Sequence, residues 1–131
     1  MAHVITFRSS KFDPAMETPN PVNPIAGESV LLWLRAQLKE SPYQATAPAT
    51  EDWGWYVDVS GAAGTYLVGA SADAAERGAI DWTIQIHKHR SLTDKLTGAK
   101  KMAADDPLSA LVERILRADP DIGEVEVEKG A

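Results

Sequence analysis

Two histidines separated by one residue are the first feature of this sequence that could carry chemistry. His87 and His89 fall in a run of alternating apolar and polar residues, which predicts a β-strand with both imidazoles on one face. Residues two apart on such a face lie about 6 to 7 Å from each other, so both rings can reach one metal ion. Asp58 supplies the nearest carboxylate on that face. The candidate metal ligands are therefore His87, His89 and Asp58, and the alternative is that the histidines are solvated or hydrogen-bonded.

A basic strip, residues 87 to 101, continues from these histidines. It carries five lysine and arginine residues and one acidic residue, a local charge of +4 that leaves −10 for the rest of a chain of net charge −6. Lysine and arginine are ordinarily solvated, so a solvated strand end and loop is the simpler interpretation. The alternative is contact with an acidic partner protein or a small anion. The candidate partner- or anion-binding residues are Tyr56, Gln85, His87, Lys88, His89, Arg90, Lys95, Lys100 and Lys101.

No complete catalytic set accompanies these residues. Neither Ser60 nor Ser71 lies in a G-x-S-x-G turn, and the segment from Leu96 to Lys101 lacks the glycine spacing of a phosphate-binding loop. The chain has no cysteine, which excludes disulfides, thiolate zinc ligands and a cysteine nucleophile. The sequence implies no cofactor and favours a binding protein over an enzyme.

The histidines and Asp58 must be positioned by three alternating runs between Trp53 and Arg90, which predict a β-meander. The link at residues 60 to 65 fits a tight hairpin with Val59 opposite Tyr66. The next link fits Ala72 opposite Ile80. Together these two registers fix which residues lie side by side across the three strands.

The two faces of the predicted meander differ in character. One carries Trp55, Ala70 and Trp82 in a row, and this alternation of large and small side chains favours packing under helices over ligand stacking. The other carries Tyr56, Asp58, Gln85, His87 and His89. Gly69 lies on this second face, where we expect the Tyr56 ring to cover it. The second face is therefore the predicted location of function.

Helices flank the meander in the sequence. Apolar residues at helical spacing predict one helix that begins at Pro24 or, if Gly27 delays it, at Glu28. A second predicted helix begins after Asp106. The pattern from Ser91 to Asp94 resembles a capping box and predicts one or two further helical turns.

Together these elements predict a single α+β domain over residues 1 to 131. Strands at Val4 to Arg8 and Gly123 to Lys129 complete the order strand, helix, three strands, helix, strand. Residues 12 to 27 contain four prolines and predict an extended surface loop. We expect a two-layer sandwich in which a mostly antiparallel, five-stranded sheet carries two helices on one face. A ferredoxin-like core with one added strand is one version of this fold.

Composition narrows the classes of function. No run approaches the roughly 18 apolar residues of a membrane span, and the first residues do not resemble a secretory signal, so a soluble cytoplasmic protein is expected. The negative net charge disfavours nucleic acid as a partner.

The main hypothesis is a non-enzymatic protein-binding or accessory module of bacterial type, which includes toxin-neutralising proteins. Its partner would be another protein or a second copy in a homodimer. The alternative is a metal- or anion-dependent small-ligand binder or enzyme centred on His87 and His89.

Overall fold

Alternating and helical sequence patterns give rise to seven strands and three α-helices in the computed structural model, which describes residues 2–72, 80–99 and 101–130. The strands are β1 (Ala2–Ser9), β2 (Gln44–Ala45), β3 (Ala49–Glu51), β4 (Gly54–Gly61), β5 (Gly64–Ala72), β6 (Ile80–Lys88) and β7 (Gly123–Lys129). The helices are α1 (Glu28–Leu38), α2 (Leu92–Thr97) and α3 (Pro107–Ala118). A 3-10 turn, Pro14–Met16, lies in the proline-rich segment. The α+β class is as predicted.

The strands in the described part of the chain belong to one open sheet in the order β2-β4-β5-β6-β1-β7, with β3 also paired to β4. Each of these strand pairs is antiparallel. The sheet has seven strands rather than the five predicted because β2 and β3 span only two and three residues. Such short segments are too small to show an alternating pattern, and both pair along the outer side of β4.

The register of the meander agrees with the sequence at one hairpin and departs from it at the other. Val59 pairs with Tyr66 between β4 and β5, as predicted. Between β5 and β6, Ala72 pairs with Trp82 and not with Ile80, so the predicted register was wrong by two residues. The link between these strands, residues 73–79, lies outside the described part of the chain. A shift of two keeps each side chain on its face but changes its neighbours.

The helix-covered face of the sheet holds the hydrophobic core. Trp55 and Trp82 are 4% and 0% exposed, and both belong to one buried cluster with α1 and α3. Because of the register shift, Ile84 and not Trp82 shares a row with Trp55. The helices contribute the buried residues Val30, Leu31, Leu34, Leu38, Leu108, Val112 and Leu116. Phe12 enters the same core from the proline-rich segment, with its ring centroid 5.8 Å from that of Trp82.

Both long helices begin at identifiable caps. The Glu17 carboxylate accepts hydrogen bonds from the backbone N–H groups of residues 27, 28 and 29, which explains why α1 begins at Glu28, the later of the two predicted positions. Asp106 caps α3 as predicted and accepts hydrogen bonds from the backbone of residues 108 and 109. Among the described residues, no helix combines the length and the apolar character needed to cross a membrane.

Candidate functional site

The face of the sheet opposite the core, here called the open face, carries partly or fully exposed polar side chains. Its residues alternate with the core residues along each strand, because successive side chains of a strand point to opposite sides. The open face includes Tyr56, Asp58, Leu67, Gly69, Thr83, Gln85, His87, Val4, Thr6, Glu126 and Glu128. The predicted location of function therefore corresponds to a real surface of the fold.

Two rows of this face bring predicted site residues together. Tyr56, Gly69 and Gln85 lie opposite one another on β4, β5 and β6. The next row contains Asp58, Leu67 and His87. His87 Nε2 lies 3.2 Å from Gln85 Oε1, within hydrogen-bond distance, and partial desolvation by the surrounding protein lowers the pKa of the imidazole.

Gly69 is covered by Trp53 and not by Tyr56, so the expectation for the Tyr56 ring was wrong. A methyl group at position 69 would overlap the Trp53 indole ring. Trp53 lies in the turn between β3 and β4, and from there its side chain reaches across β4 to the bare backbone of β5. The open face thus has a half-buried indole beside the half-buried Tyr56.

The predicted metal ligands are placed on or next to this face. His89 lies just beyond β6, where its backbone N–H donates to the Thr65 carbonyl oxygen at 2.7 Å. Asp58 and His87 share a row, but Leu67 stands between them. Within residues 2–72, 80–99 and 101–130, no group of three or more histidine, cysteine or acidic side chains is arranged to hold a metal ion. The metal site of His87, His89 and Asp58 stays a prediction.

The basic strip divides into internal and exposed members. Arg90 is half-buried, and its Nε and Nη2 donate to the carbonyl oxygens of Ala99 and Asp94 at 3.1 and 3.2 Å. Lys88 lies on the opposite side of β6 from His87, with Nζ 5.8 Å from the centre of the Tyr66 ring. Lys95 and Lys101 are exposed. Lys100 lies outside the described residues.

The short helix α2 is stabilised by polar contacts and not by packing. Ser91 Oγ accepts from the Asp94 N–H and the Asp94 carboxylate accepts from the Ser91 N–H, which confirms the predicted capping box. Gly98 ends the helix in the left-handed region, at φ 75°. None of the residues in α2 is buried, and Leu92 and Leu96 are 74% and 80% exposed. These leucines were not among the predicted site residues, although two leucines four residues apart in a short helix are visible in the sequence.

A depression of about 520 Å³ lies between the open face and α2. The charged and polar residues that line it include Asp58, His87, His89, Arg90 and Lys95. A smaller recess of about 250 Å³ lies beside it and is lined by Lys88, Arg90, Lys101 and Met102. Most of the predicted site residues therefore meet at one corner of the molecule.

A second polar cluster is buried in the core. His3 is fully buried, and its Nδ1 shares a hydrogen bond of 2.6 Å with Ser109 Oγ. Tyr66 donates its hydroxyl to the buried Asp106 carboxylate at 2.8 Å. Desolvation lowers the pKa of His3 and raises that of Tyr66, which keeps both side chains uncharged near neutral pH. This cluster lies on the core face of the sheet and belongs to the fold, not to the candidate site.

Together, sheet and helices define an α+β protein with a mostly antiparallel open sheet. Comparison with protein-family models, curated proteins and solved structures gave no match to this chain. The function is therefore argued from the open face, the basic strip and α2.

Proposed function

We propose that this chain is a non-enzymatic protein-binding module that contacts its partner through the open face and the basic strip. The observation that carries the proposal is that the open face bears the half-buried Trp53 and Tyr56 and, one row away, the exposed His87, which lines one depression with the exposed Lys95. Aromatic side chains supply much of the energy of protein interfaces, and charges at the rim steer association.

The hydrophobic core lies on the other side of the sheet and does not include the open face. This supports a role for the open face in binding. An antiparallel sheet needs only one covered face to fold, and α1 and α3 cover the face that carries Trp55 and Trp82. The open face also carries apolar and aromatic surface. Here Leu67, Trp53 and Tyr56 are all partly exposed beside charged residues.

Site-specific photocrosslinking would test the proposal. A photoactivatable amino acid at position 87 samples the open face, and the same amino acid at the exposed position 36 on α1 is the matched control. In cells of the source organism we expect a defined crosslinked protein from position 87 only. Absence of a product, or the same products from both positions, would contradict the proposal.

Charge reversal adds a quantitative arm to that experiment. Lys95→Glu with Lys101→Glu should lower the crosslinking yield about tenfold, which corresponds to roughly 1.4 kcal/mol of binding free energy. Lys39→Glu with Arg114→Glu is the control, since both are exposed and lie outside the basic strip. Arg90 is unsuitable for reversal because it holds the backbone of α2.

The partner in this proposal is either another protein or a second copy of the chain. Light scattering of the purified chain separates the two, because a homodimer doubles the mass without any added component. A toxin-neutralising role in the cytoplasm is one form of the proposal and rests on analogy of architecture alone.

A small-ligand or metal-binding function is the alternative, and the depression lined by His87, His89, Arg90 and Lys95 favours it. Thermal unfolding of untagged protein with zinc, nickel or phosphate tests it. A rise in the unfolding midpoint that is lost in His87→Ala would support this alternative, and an unchanged midpoint would contradict it.

We also propose that the five long strands follow a ferredoxin-like plan with one added strand. In the order β5-β6-β1-β7, α1 follows β1 and precedes β4 and β5, α3 lies between β6 and β7 in the chain, and β4 would be the added strand. The position of α1 and α3 on one face also supports it. An experimental structure with β1 at an edge would contradict it.

A further inference from the structure

We infer that α2 is a docking helix for an acidic segment of a partner protein, with Leu92 and Leu96 as its apolar anchors. This inference rests on the proposed function and specifies the chemistry of the partner. Residues four apart lie on one face of a helix, so the two leucines form a single apolar patch. They are 74% and 80% exposed, and they contribute nothing to the core.

The fold positions this patch by other means than packing. A two-turn helix is marginal in water, because few hydrogen bonds offset the cost of nucleation. Here the Ser91–Asp94 capping box fixes the start, Gly98 fixes the end, and the Arg90 guanidinium binds carbonyl oxygens of Asp94 and Ala99. These bonds hold Leu92 and Leu96 in a defined place at the surface, which is what a docking helix requires.

The positive charge around Leu92 and Leu96 indicates which kind of partner binds there. Lys95 lies three residues after Leu92 and is therefore its neighbour on the helix surface, and Lys101 lines a recess with Lys88 and Arg90. A segment in which aspartate or glutamate flanks apolar side chains matches both the leucines and this positive charge.

Two other occupants fit less well. An anionic membrane would attract the basic strip, but it would repel the charge of −10 on the rest of the chain. A two-fold dimer through α2 would pack the same surface of each copy against itself and bring the positive charges of the two basic strips together. The charge distribution therefore favours an acidic segment from a different protein.

Selection from a displayed library of random 16-residue peptides would test the inference. The purified chain is the target, and Leu92→Ser with Leu96→Ser is the counter-selection variant. We expect enriched peptides that combine acidic with apolar residues. Their affinity should fall about tenfold or more in the double serine variant and in Lys95→Glu with Lys101→Glu, and it should weaken as salt is added.

Leu32→Ser is the matched control, because Leu32 is an exposed leucine on α1, 47% accessible. It should leave the affinity of the peptides unchanged. Because α2 buries no residue, the double serine variant should unfold at the same temperature as the parent chain. A lowered midpoint would show that the leucines act in the fold and would overturn the inference.

Four further results would overturn the inference. The first is that no peptide is enriched, and the second is that the enriched peptides bind the double serine variant equally well. The third is leucine-dependent binding to phosphatidylserine vesicles in place of peptides, and the fourth is a leucine-dependent dimer.

The photocrosslink from position 87 distinguishes failure of this inference from failure of the proposed function. If the double serine variant crosslinks to the same partner at full yield, only the docking role of α2 fails. If no crosslink forms at all, the proposed function fails as well.

Discussion

His3 is a titratable residue that folding removes from water. It lies on β1, is fully buried against α3, and its Nε2 has no hydrogen-bond partner among residues 2–72, 80–99 and 101–130. Burial lowers its pKa, the nearby charge of Lys129 lowers it further, and Asp106 acts in the opposite direction. The fold therefore holds the neutral imidazole.

We expect stability to fall as the pH is lowered through about 6.5, the ordinary pKa of histidine. The unfolded chain binds a proton at His3 in this range and the folded chain does not, so protonation favours unfolding until the pH reaches the lowered pKa of the folded state. His3→Asn should cost about 1 to 3 kcal/mol at high pH and reduce the slope. Urea unfolding at several pH values measures both effects. His89→Asn is the control, and an unchanged slope in His3→Asn would show that His3 is not the source.

Asp106 combines a helix cap with a buried hydrogen bond. Its carboxylate accepts from two backbone N–H groups of α3 and from the Tyr66 hydroxyl. Asp106→Ala should cost about 2 to 4 kcal/mol, since it removes the cap and leaves the hydroxyl without its partner. Tyr66→Phe should cost only about 1 kcal/mol. A double-mutant cycle by chemical unfolding measures the coupling, and additive effects would contradict an energetic role for this hydrogen bond.

At the scale of single residues, the sequence predicted contacts between residues close together in the chain better than contacts between residues far apart in it. Asp106 was identified as a cap because its partners are two and three residues away. Its contact with Tyr66 joins residues far apart in the chain, and no local pattern indicates it. The Glu17 cap of α1 and the Trp53 cover of Gly69 were missed for the same reason.

At the scale of elements, Trp53 and Gly69 join the β3–β4 turn to the centre of β5. Gly69→Ala would displace the indole ring, and we expect a loss of about 1 to 2 kcal/mol together with a red shift of tryptophan fluorescence. In a Trp53→Ala background the same substitution should be neutral or stabilising, because a strand favours alanine over glycine. An equal loss in both backgrounds would exclude the indole as the cause.

The sequence patterns predicted the long strands and helices but not every pairing between strands. The β4–β5 hairpin is tight, so its turn fixes the register, and Val59 opposite Tyr66 was predicted correctly. The β5–β6 link is longer and does not fix one register. Placing Ala72 opposite Ile80 or Trp82 keeps the same residues on the core face, so hydrophobic alternation cannot distinguish the two.

The candidate site was predicted in outline by the same reasoning. Alternation along β6 placed Gln85 and His87 on the open face, and the charge count located the basic strip. The internal role of Arg90 depends on where the chain turns after α2, which composition does not reveal. The exposure of Leu92 and Leu96 depends on the position of α2 outside the core.

At the scale of the whole molecule, β7 is an edge of the sheet that carries Glu124, Glu126 and Glu128. Negative charge along an edge strand opposes pairing with a second molecule. We expect Glu126→Val with Glu128→Val to self-associate, as measured by light scattering over a concentration series. Lys39→Val with Glu40→Val, exposed after α1, is the control. A monomeric double valine variant would show that the glutamates do not protect this edge.

The central position of β1 also determines when the sheet can be completed during synthesis. β1 pairs on one side with β6 and on the other with β7, and His3 lies opposite both Ile86 and Lys129. These partners leave the ribosome long after β1, so the nascent chain must keep its apolar Ile5 and Phe7 from aggregating until β7 emerges. Contacts of such long sequence separation also slow folding. The arrangement that buries His3 therefore delays completion of the sheet until β7 has been synthesised.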